Sequence, residues 1–309
     1  MKSRHPYTAL LVAALVAMVA GGCHSKEITD EMSDSTKLEL LDLKLESHPD
    51  DHELLAKRAE VLFKLGRAKE ANFDINHAVE LKPNRPEYRL LQADICFANG
   101  DVAGSYKALE EAERLTPQSN EVQLKMGEIA FYSRNYDRAI ECLSKVTKKD
   151  PNNRTALFMK GFIYKERGDT ASAVQFFRRV CNKFPDYAPA FEQLGVLYAA
   201  RNEKLALEYL NTALQLDPSN TNTMYALAMF YQDNKDMEHA EALYRQMLDI
   251  NENSADAWHN LGWIEMTFYS DYQRAVEYFD KALAADPQHA GAQANRQVAL
   301  AALGKGGTE

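Results

Sequence analysis

Apolar residues recur along most of the chain at intervals of three and four positions, with polar residues between them. This spacing places the apolar side chains on one face of a helix. One set of these positions carries mainly large apolar residues: Ile75, Leu109, Leu143, Phe177, Leu210, Tyr244 and Phe279. Runs of β-branched residues are few, and the chain has only 14 glycines and 10 prolines. The pattern therefore predicts an all-α protein built from amphipathic helices.

The helical pattern repeats with a period of 34 residues, which is marked by five prolines: Pro49, Pro83, Pro117, Pro151 and Pro185. Small residues occupy two columns in each period. The first column is Ala59, Ala93, Gly127, Gly161, Gly195, Ala228 and Gly262, and the second is Ala71, Ser105, Ala139, Ala173, Ala206, Ala240 and Ala275. Small side chains let helices approach closely, so each period is predicted to be a helix pair, with Gly66, Gly100 and Gly168 at the turns. Pro218 comes one residue early and Pro287 one residue late, and we assign both shifts to loops.

The periods resemble the tetratricopeptide repeat (TPR). The last one matches that motif best, through Trp258, Leu261, Gly262, Ala275, Phe279, Ala282 and Pro287. The resemblance implies a right-handed superhelical solenoid of antiparallel helix pairs, in which the first helix of each pair lines a concave groove. It predicts a half repeat over residues 36–51, seven repeats over 52–289, a capping helix over 290–303 and a tail over 304–309.

The N-terminal segment has the pattern of a signal peptide. Lys2 and Arg4 precede an apolar run over residues 9–20. The run spans roughly 18 Å, which is too short for a hydrocarbon core of about 30 Å. The sequence Ala20-Gly21-Gly22-Cys23 resembles a bacterial lipobox. That resemblance implies a signal peptide over residues 1–22, lipidation of Cys23, a polar tether over 23–35 and an outer-membrane position facing the periplasm. The alternative is an ordinary signal peptide cleaved near residue 22.

Charge and composition argue against several functions. The formal net charge is −9, or −11 without Lys2 and Arg4, so we do not expect a nucleic-acid partner. The four cysteines form no CxxC pair, and no nucleophile grouping recurs, so we expect no metal, no cofactor and no catalysis. His48 and His52 flank a proline in a linker, and we interpret them as part of a solvated turn.

Three positions of the first helices carry acidic or aromatic residues in successive repeats. They are Glu53, Glu87 and Glu121, then Glu60, Asp94 and Glu128, then Phe63, Phe97 and Phe131. Offsets of seven and three residues place these columns on one helix face, which the TPR resemblance implies is the groove. Later repeats carry apolar residues on that face: Phe158, Phe162, Tyr225, Met229 and Trp263. We predict that all fourteen residues contact a partner. The alternative is that the acids form a solvated face and the aromatic residues pack between repeats.

These features favour a membrane-anchored, non-catalytic adaptor or scaffold. It would bind a protein or peptide segment, of basic and apolar character, in its groove. A second hypothesis is a pilotin-like assembly factor for an outer-membrane secretion or pilus complex. A third is an enzyme of envelope metabolism, which would require a catalytic grouping that the sequence does not display.

Overall fold

The computed structural model describes residues 28–306. The predicted signal peptide, the lipobox and Cys23 lie outside the described residues. The described part of the chain contains sixteen α-helices and no strand, which confirms the all-α prediction. In chain order they are α1 (Asp34–Ser47), α2 (His52–Lys64), α3 (Ala68–Leu81), α4 (Pro86–Ala98), α5 (Val102–Leu115), α6 (Asn120–Tyr132), α7 (Tyr136–Lys149), α8 (Arg154–Glu166), α9 (Thr170–Lys183), α10 (Ala188–Ala199), α11 (Leu205–Leu216), α12 (Thr221–Asp233), α13 (Met237–Ile250), α14 (Ala255–Ile264), α15 (Tyr272–Ala285) and α16 (Ala290–Gly306).

Contacts divide the chain into two compact units, Met1–Val122 and Gln123–Glu309. The core of the first unit is formed by residues of α1 to α4, among them Leu45, Leu55 and Ile75. In the second unit, one core includes Leu157, Phe177 and Leu210, and others continue to α16. Within each unit, a helix buries its apolar face against the neighbouring pair, as repeat architectures do.

The turn between the two helices of a pair requires a left-handed backbone. Gly66, Gly100 and Gly168 have φ values of 74°, 80° and 77°, as their position at a helix C-terminus predicts. Four residues with side chains take the same conformation in the remaining pairs: Arg134, Asn202, Lys235 and Ser270. The left-handed turn is therefore a property of the repeat, and four repeats adopt it without the conformational freedom of glycine.

The small-residue columns lie where paired helices touch. A Cβ atom added to Gly161 would lie 2.6 Å from the Phe177 ring, and one added to Gly262 would lie 2.7 Å from the Phe279 ring. These distances are shorter than real Cβ contacts, so the predicted close approach is confirmed.

The late position of Pro287 has a different cause from the one that the sequence suggested. The extra residue does not lie in a loop. It is absorbed by a π-helical turn, Glu265–Tyr269, which directly continues α14. A single inserted residue can be accommodated in a helix by i→i+5 hydrogen bonding, so the loop assignment was wrong here. Glu265 is buried in this turn and lies 3.2 Å from Arg274, while burial raises the pKa of its carboxyl group.

Two predicted boundaries also differ from the structure. Helix α1 begins at Asp34, within the predicted polar tether, because the Ser33 side chain accepts a hydrogen bond from the Thr36 amide at 3.2 Å and caps the helix. Helix α16 continues to Gly306, so the first three residues of the predicted tail are helical.

Helix α16 covers the last pair and begins beside two histidines. Its Ala292 and Ala299 join a buried cluster with Phe279. The His289 Nδ1 accepts a hydrogen bond from the Ala292 amide at 3.0 Å, which caps the helix. The His289 ring lies 4.7 Å from the His259 ring, centroid to centroid, and its Nε2 lies 3.2 Å from Asp256.

We expect this junction to weaken on acidification. Burial, and then the neighbouring His289, lower the pKa of His259, whereas Asp256 opposes the shift. At His259, the unfolded chain therefore binds more protons than the folded chain as the pH falls through about 6.5, and the stability that this group contributes above that pH is lost below it. The decrease in melting temperature between about pH 7.5 and about pH 5.5 should be larger for the wild type than for His259→Gln. Equal decreases would contradict the assignment to His259.

Candidate functional site

A cleft of about 570 Å³ lies between α2 and α4 in the first unit. Its lining is Glu53, Ala56, Lys57, Glu60, Phe63, Lys64, Arg85, Glu87, Tyr88, Leu91 and Asp94. Five of these residues belong to the columns that the sequence singled out: Glu53, Glu60, Phe63, Glu87 and Asp94. The structure therefore brings together acidic and aromatic residues from two successive repeats.

The local sequence explains why these side chains share a cleft. Asp51 caps α2 by accepting hydrogen bonds from the amides of Glu53 and Leu54 at 2.9 and 3.2 Å. The helix start is therefore fixed, and the offsets of seven and three residues place Glu60 and Phe63 on the same face as Glu53. The small side chain of Ala56 lies on that face as well and leaves space above it.

The apolar residues of the lining, Ala56, Phe63, Tyr88 and Leu91, are called the floor of the cleft, and Tyr88 is only 8% exposed. The hydroxyl of Tyr88 and the Nδ1 of His52 form a hydrogen bond of 2.8 Å. Burial raises the pKa of the Tyr88 hydroxyl, which favours its neutral form. His52 is half-buried at the first position of α2, and its interpretation as part of a solvated turn is therefore wrong.

The rim of the cleft carries both signs of charge. Lys64 pairs with Glu60 at 2.7 Å, and Arg85 lies 3.1 Å from Glu87 and 3.9 Å from Glu53. The hydrogen bond with Glu60 raises the pKa of Lys64. These pairs are exposed, so each contributes about 0 to 1 kcal/mol and can exchange with a ligand charge. The rim is thus weakly acidic, and less so than the acidic columns alone suggest.

The other predicted residues of the acidic and Phe columns lie away from this cleft. Phe97 is half-buried on α4, and Glu121 lines a separate pocket of about 220 Å³. In the second unit, Glu128 pairs with Lys125 at 3.1 Å. The Phe131 ring lies 6.1 Å from the ring of Tyr136.

The apolar residues predicted in later repeats are all half-buried: Phe158, Phe162, Tyr225, Met229 and Trp263. Phe158 and Phe162 meet edge to face at 4.9 Å, and each ring lies 5.5 Å from Phe177. The Tyr244 hydroxyl lies 3.2 Å from the Met229 sulfur. These side chains pack against the core and still present part of their surface. Their contact with a partner stays a prediction.

The cleft residues that sequence reasoning did not identify include Tyr88 and Arg85. Tyr88 lies next to Glu87 in the sequence, and an aromatic residue beside an acidic column was the available signal. Arg85 lies in the linker before Pro86, and no helical periodicity applies to a linker.

The described residues offer little reactive chemistry. Cys96, Cys142 and Cys181 are buried, and none of these three forms a disulfide. Burial raises the pKa of Cys181 to about 12, which disfavours the nucleophilic thiolate. Among residues 28–306 there is no group of three or more His, Cys, Asp or Glu side chains placed to hold a metal ion. No helix in that range is both long enough and apolar enough to span a membrane.

Three family models, each described as a tetratricopeptide repeat, match this chain. One matches residues 57–120 and 124–188, another residues 197–262, and the third residues 255–289. Together they cover more than half of the chain. The chain belongs to the tetratricopeptide repeat family.

Solved structures with the same fold come from distant relatives. Yeast Tom70 is 19% identical with a TM-score of 0.65, and the match covers 87% of this chain and 60% of that chain. A tetratricopeptide repeat protein from Parabacteroides merdae is 16% identical with a TM-score of 0.58, and the match covers 81% of this chain and 98% of that chain. The human IFIT1 dimer with PPP-AAAA is 17% identical with a TM-score of 0.61, over 87% of this chain and 68% of that chain.

This chain therefore spans about three fifths of the length of the Tom70 chain that it matches. At these identities, the similarity establishes the fold. No curated protein matches the sequence.

Proposed function

We propose that this protein is a membrane-anchored, non-catalytic TPR adaptor that binds a peptide segment of basic and apolar character in the cleft between α2 and α4. The observation that carries the proposal is the combination of an apolar floor with a carboxylate rim in one cleft of about 570 Å³. This volume is typical of ligand pockets.

The two parts of the cleft suit different parts of a ligand. Phe63, Tyr88 and Leu91 offer apolar surface to an apolar side chain, whose transfer from water provides most of the affinity. The carboxylates of Glu60 and Asp94 line the cleft, and a Lys or Arg side chain of the ligand would donate hydrogen bonds to them. Because the rim also carries cations, it repels acidic ligands less strongly than an all-acidic rim would. Charge therefore mainly sets the orientation of the ligand and its association rate.

Aromatic residues on first helices of the second unit support a broader version of the same function. Half-buried Phe158 and Phe162 present apolar surface on first helices there, as do Tyr225 and Trp263. TPR proteins are in general protein-binding scaffolds. A longer partner segment would gain apolar contacts from these residues.

The proposed location rests on the lipobox resemblance around Cys23. Several acyl chains at about 0.8 kcal/mol per buried CH₂ hold a protein on a bilayer stably. A lipid on Cys23 would anchor the chain to the outer membrane on its periplasmic side. A pilotin-like assembly factor would share this anchor, and it would differ by forming a complex of fixed stoichiometry with one integral membrane protein. Cross-linking in membranes followed by mass determination of the complex distinguishes an adaptor from an assembly factor, because only the assembly factor should give one complex of fixed stoichiometry.

The cleft is tested with a synthetic peptide of alternating Lys and Phe as the probe. Glu60→Gln together with Asp94→Asn should weaken binding about tenfold and flatten its salt dependence, because two attractive charges are lost. Isothermal calorimetry at two salt concentrations measures both effects. The matched control is Glu80→Gln with Glu110→Gln, which removes two exposed acids on second helices. Equal affinities in both double variants would place recognition elsewhere.

Anchoring is tested separately by Cys23→Ser. We expect the mature chain to move from the membrane fraction to the soluble fraction, or the precursor to remain uncleaved, because sulfur is the acylation site. Fractionation followed by immunoblotting measures this. Normal cleavage with unchanged membrane association would contradict lipidation, and it would leave the cleft proposal intact.

A further inference from the structure

Positive charge is concentrated in one part of this acidic protein. Residues 123–183 contain thirteen Lys and Arg against six Asp and Glu. Residues 28–122 contain twelve against twenty, and residues 184–309 contain eight against eighteen. The net charge of the chain therefore hides a basic segment flanked by two acidic ones.

Within that segment, the basic residues of α9 lie on its outer face. Gln175, Arg178, Arg179, Asn182 and Lys183 line a shallow depression of about 310 Å³, and all five are exposed. Their offsets of three, four, seven and eight residues place them along one helix face. No Asp or Glu occurs in α9, so no acidic side chain of this helix offsets them. We call this surface the α9 basic face.

The cations of the α9 basic face have no carboxylate within ion-pair distance among residues 28–306. Arg178 and Lys183 occur in none of the ion pairs of the described chain, and Arg179 donates a hydrogen bond to the Pro151 carbonyl at 2.7 Å. By contrast, exposed Arg67 and Arg167 pair with Glu70 and Asp137, at 2.6 and 2.8 Å. The α9 basic face differs from those two sites because its own helix supplies no acid.

The neighbouring linkers extend the same surface. The bond to Pro151 ties α9 to the linker that follows α7, whose last turn carries the exposed Lys148. Arg154, at the start of α8, lies over the Tyr187 ring at 4.6 Å and leaves its charge exposed. The linker carboxylate Asp150 is within hydrogen-bond distance of groups of its own turn, at 3.1 and 3.2 Å.

We propose that the α9 basic face binds an acidic segment of a partner polypeptide. Guanidinium groups bind carboxylates through paired hydrogen bonds, which suits Arg178 and Arg179. The face extends from Gln175 to Lys183, an offset of eight positions or about 12 Å of helix, which matches about four residues of an extended chain. A membrane or a nucleic acid presents negative charge over a much larger area, which would repel the acidic residues 184–309 of the same unit. This face is separate from the cleft between α2 and α4, so the two proposals can fail independently.

The test uses a fluorescein-labelled hexaglutamate peptide and the full mature chain. Arg178→Gln, Arg179→Gln and Lys183→Gln together should weaken binding at least tenfold in fluorescence anisotropy. The matched control is Lys69→Gln, Lys82→Gln and Lys107→Gln, which removes the same charge from exposed positions of the first unit. The control should bind the peptide within twofold of the wild type. Circular dichroism melts check that both triple variants are folded.

Three outcomes would overturn the proposal. The first is a wild-type chain that does not bind hexaglutamate. The second is an equal loss in both triple variants, which would indicate a response to net charge alone. The third is tighter binding to phosphatidylglycerol vesicles or to a single-stranded oligonucleotide than to the peptide, which would assign the face to another class of partner.

Discussion

Replacing Phe177 with alanine should lower the free energy of unfolding by about 3 to 5 kcal/mol. The side chain is fully buried on α9 and belongs to the core that joins α8 to α12. Its ring fills the space over Gly161 and lies 5.5 Å from both Phe158 and Phe162. Because glycine leaves nothing to collapse into the vacated volume, most of the cavity should persist. Chemical denaturation followed by circular dichroism measures the loss.

Phe73 provides the matched control for this substitution. It is also a phenylalanine on the second helix of a pair, but its side chain is 73% exposed. Phe73→Ala should therefore change the unfolding free energy by less than about 0.5 kcal/mol. Similar losses in the two variants would mean that the assignment of the 34-residue register is wrong, since that register places Phe177 inside and Phe73 outside.

The contact between Gly161 and Phe177 shows why much of the fold was predictable. The two positions recur in every period, one small and one large, and a helix pair offers only one way to bring them together. The spacing of apolar residues predicts the helices, and the columns of small residues predict where the helices contact each other. Both depend on local periodicity, which a single sequence displays directly.

The features that the sequence did not predict are those in which packing of the surrounding helices overrides a local backbone preference. Arg134 and Lys235 take the left-handed turn at φ 57° and 64°, although neither residue favours it. Packing of the two helices on either side fixes the turn, and the local preference is overridden. The π turn at Glu265–Tyr269 is similar, because a one-residue insertion can be placed in a loop or in a helix and only packing decides between them.

The cleft was predictable in part for the same reason. Glu53, Glu60 and Phe63 share a face by helical spacing alone. The neutralising effect of Arg85 was not predictable, because it depends on how far a linker side chain reaches to acids of two different helices. Acidic columns in a sequence therefore suggest a stronger negative field at a site than the structure has, because cations of the linkers offset part of it.

The first unit contains one ion pair that stands apart from those on the surface. Arg58 on α2 donates two hydrogen bonds to the Asp74 carboxylate, at 2.7 and 2.8 Å, and Asp74 is only 2% exposed. Arg58 also donates to Asp42 of α1 at 2.8 Å. The hydrogen bond with Asp74 is the largest influence on the guanidinium and holds the pKa of Arg58 above its usual range. One arginine thus joins three helices of the unit.

Removing the two acids separately should have very different effects. Asp74→Ala should lower the unfolding free energy of the first unit by about 3 kcal/mol, because the half-buried guanidinium loses its buried partner. Asp42→Ala, which removes the exposed partner of the same arginine, should lower it by less than about 1 kcal/mol. Hydrogen exchange of α2 and α3 amides measures both changes locally. Equal effects would show that the Arg58 charge is stabilised by solvent and not by Asp74. Recovery of stability in Asp74→Ala with Arg58→Leu would show that the half-buried charge, left without its buried partner, causes the loss.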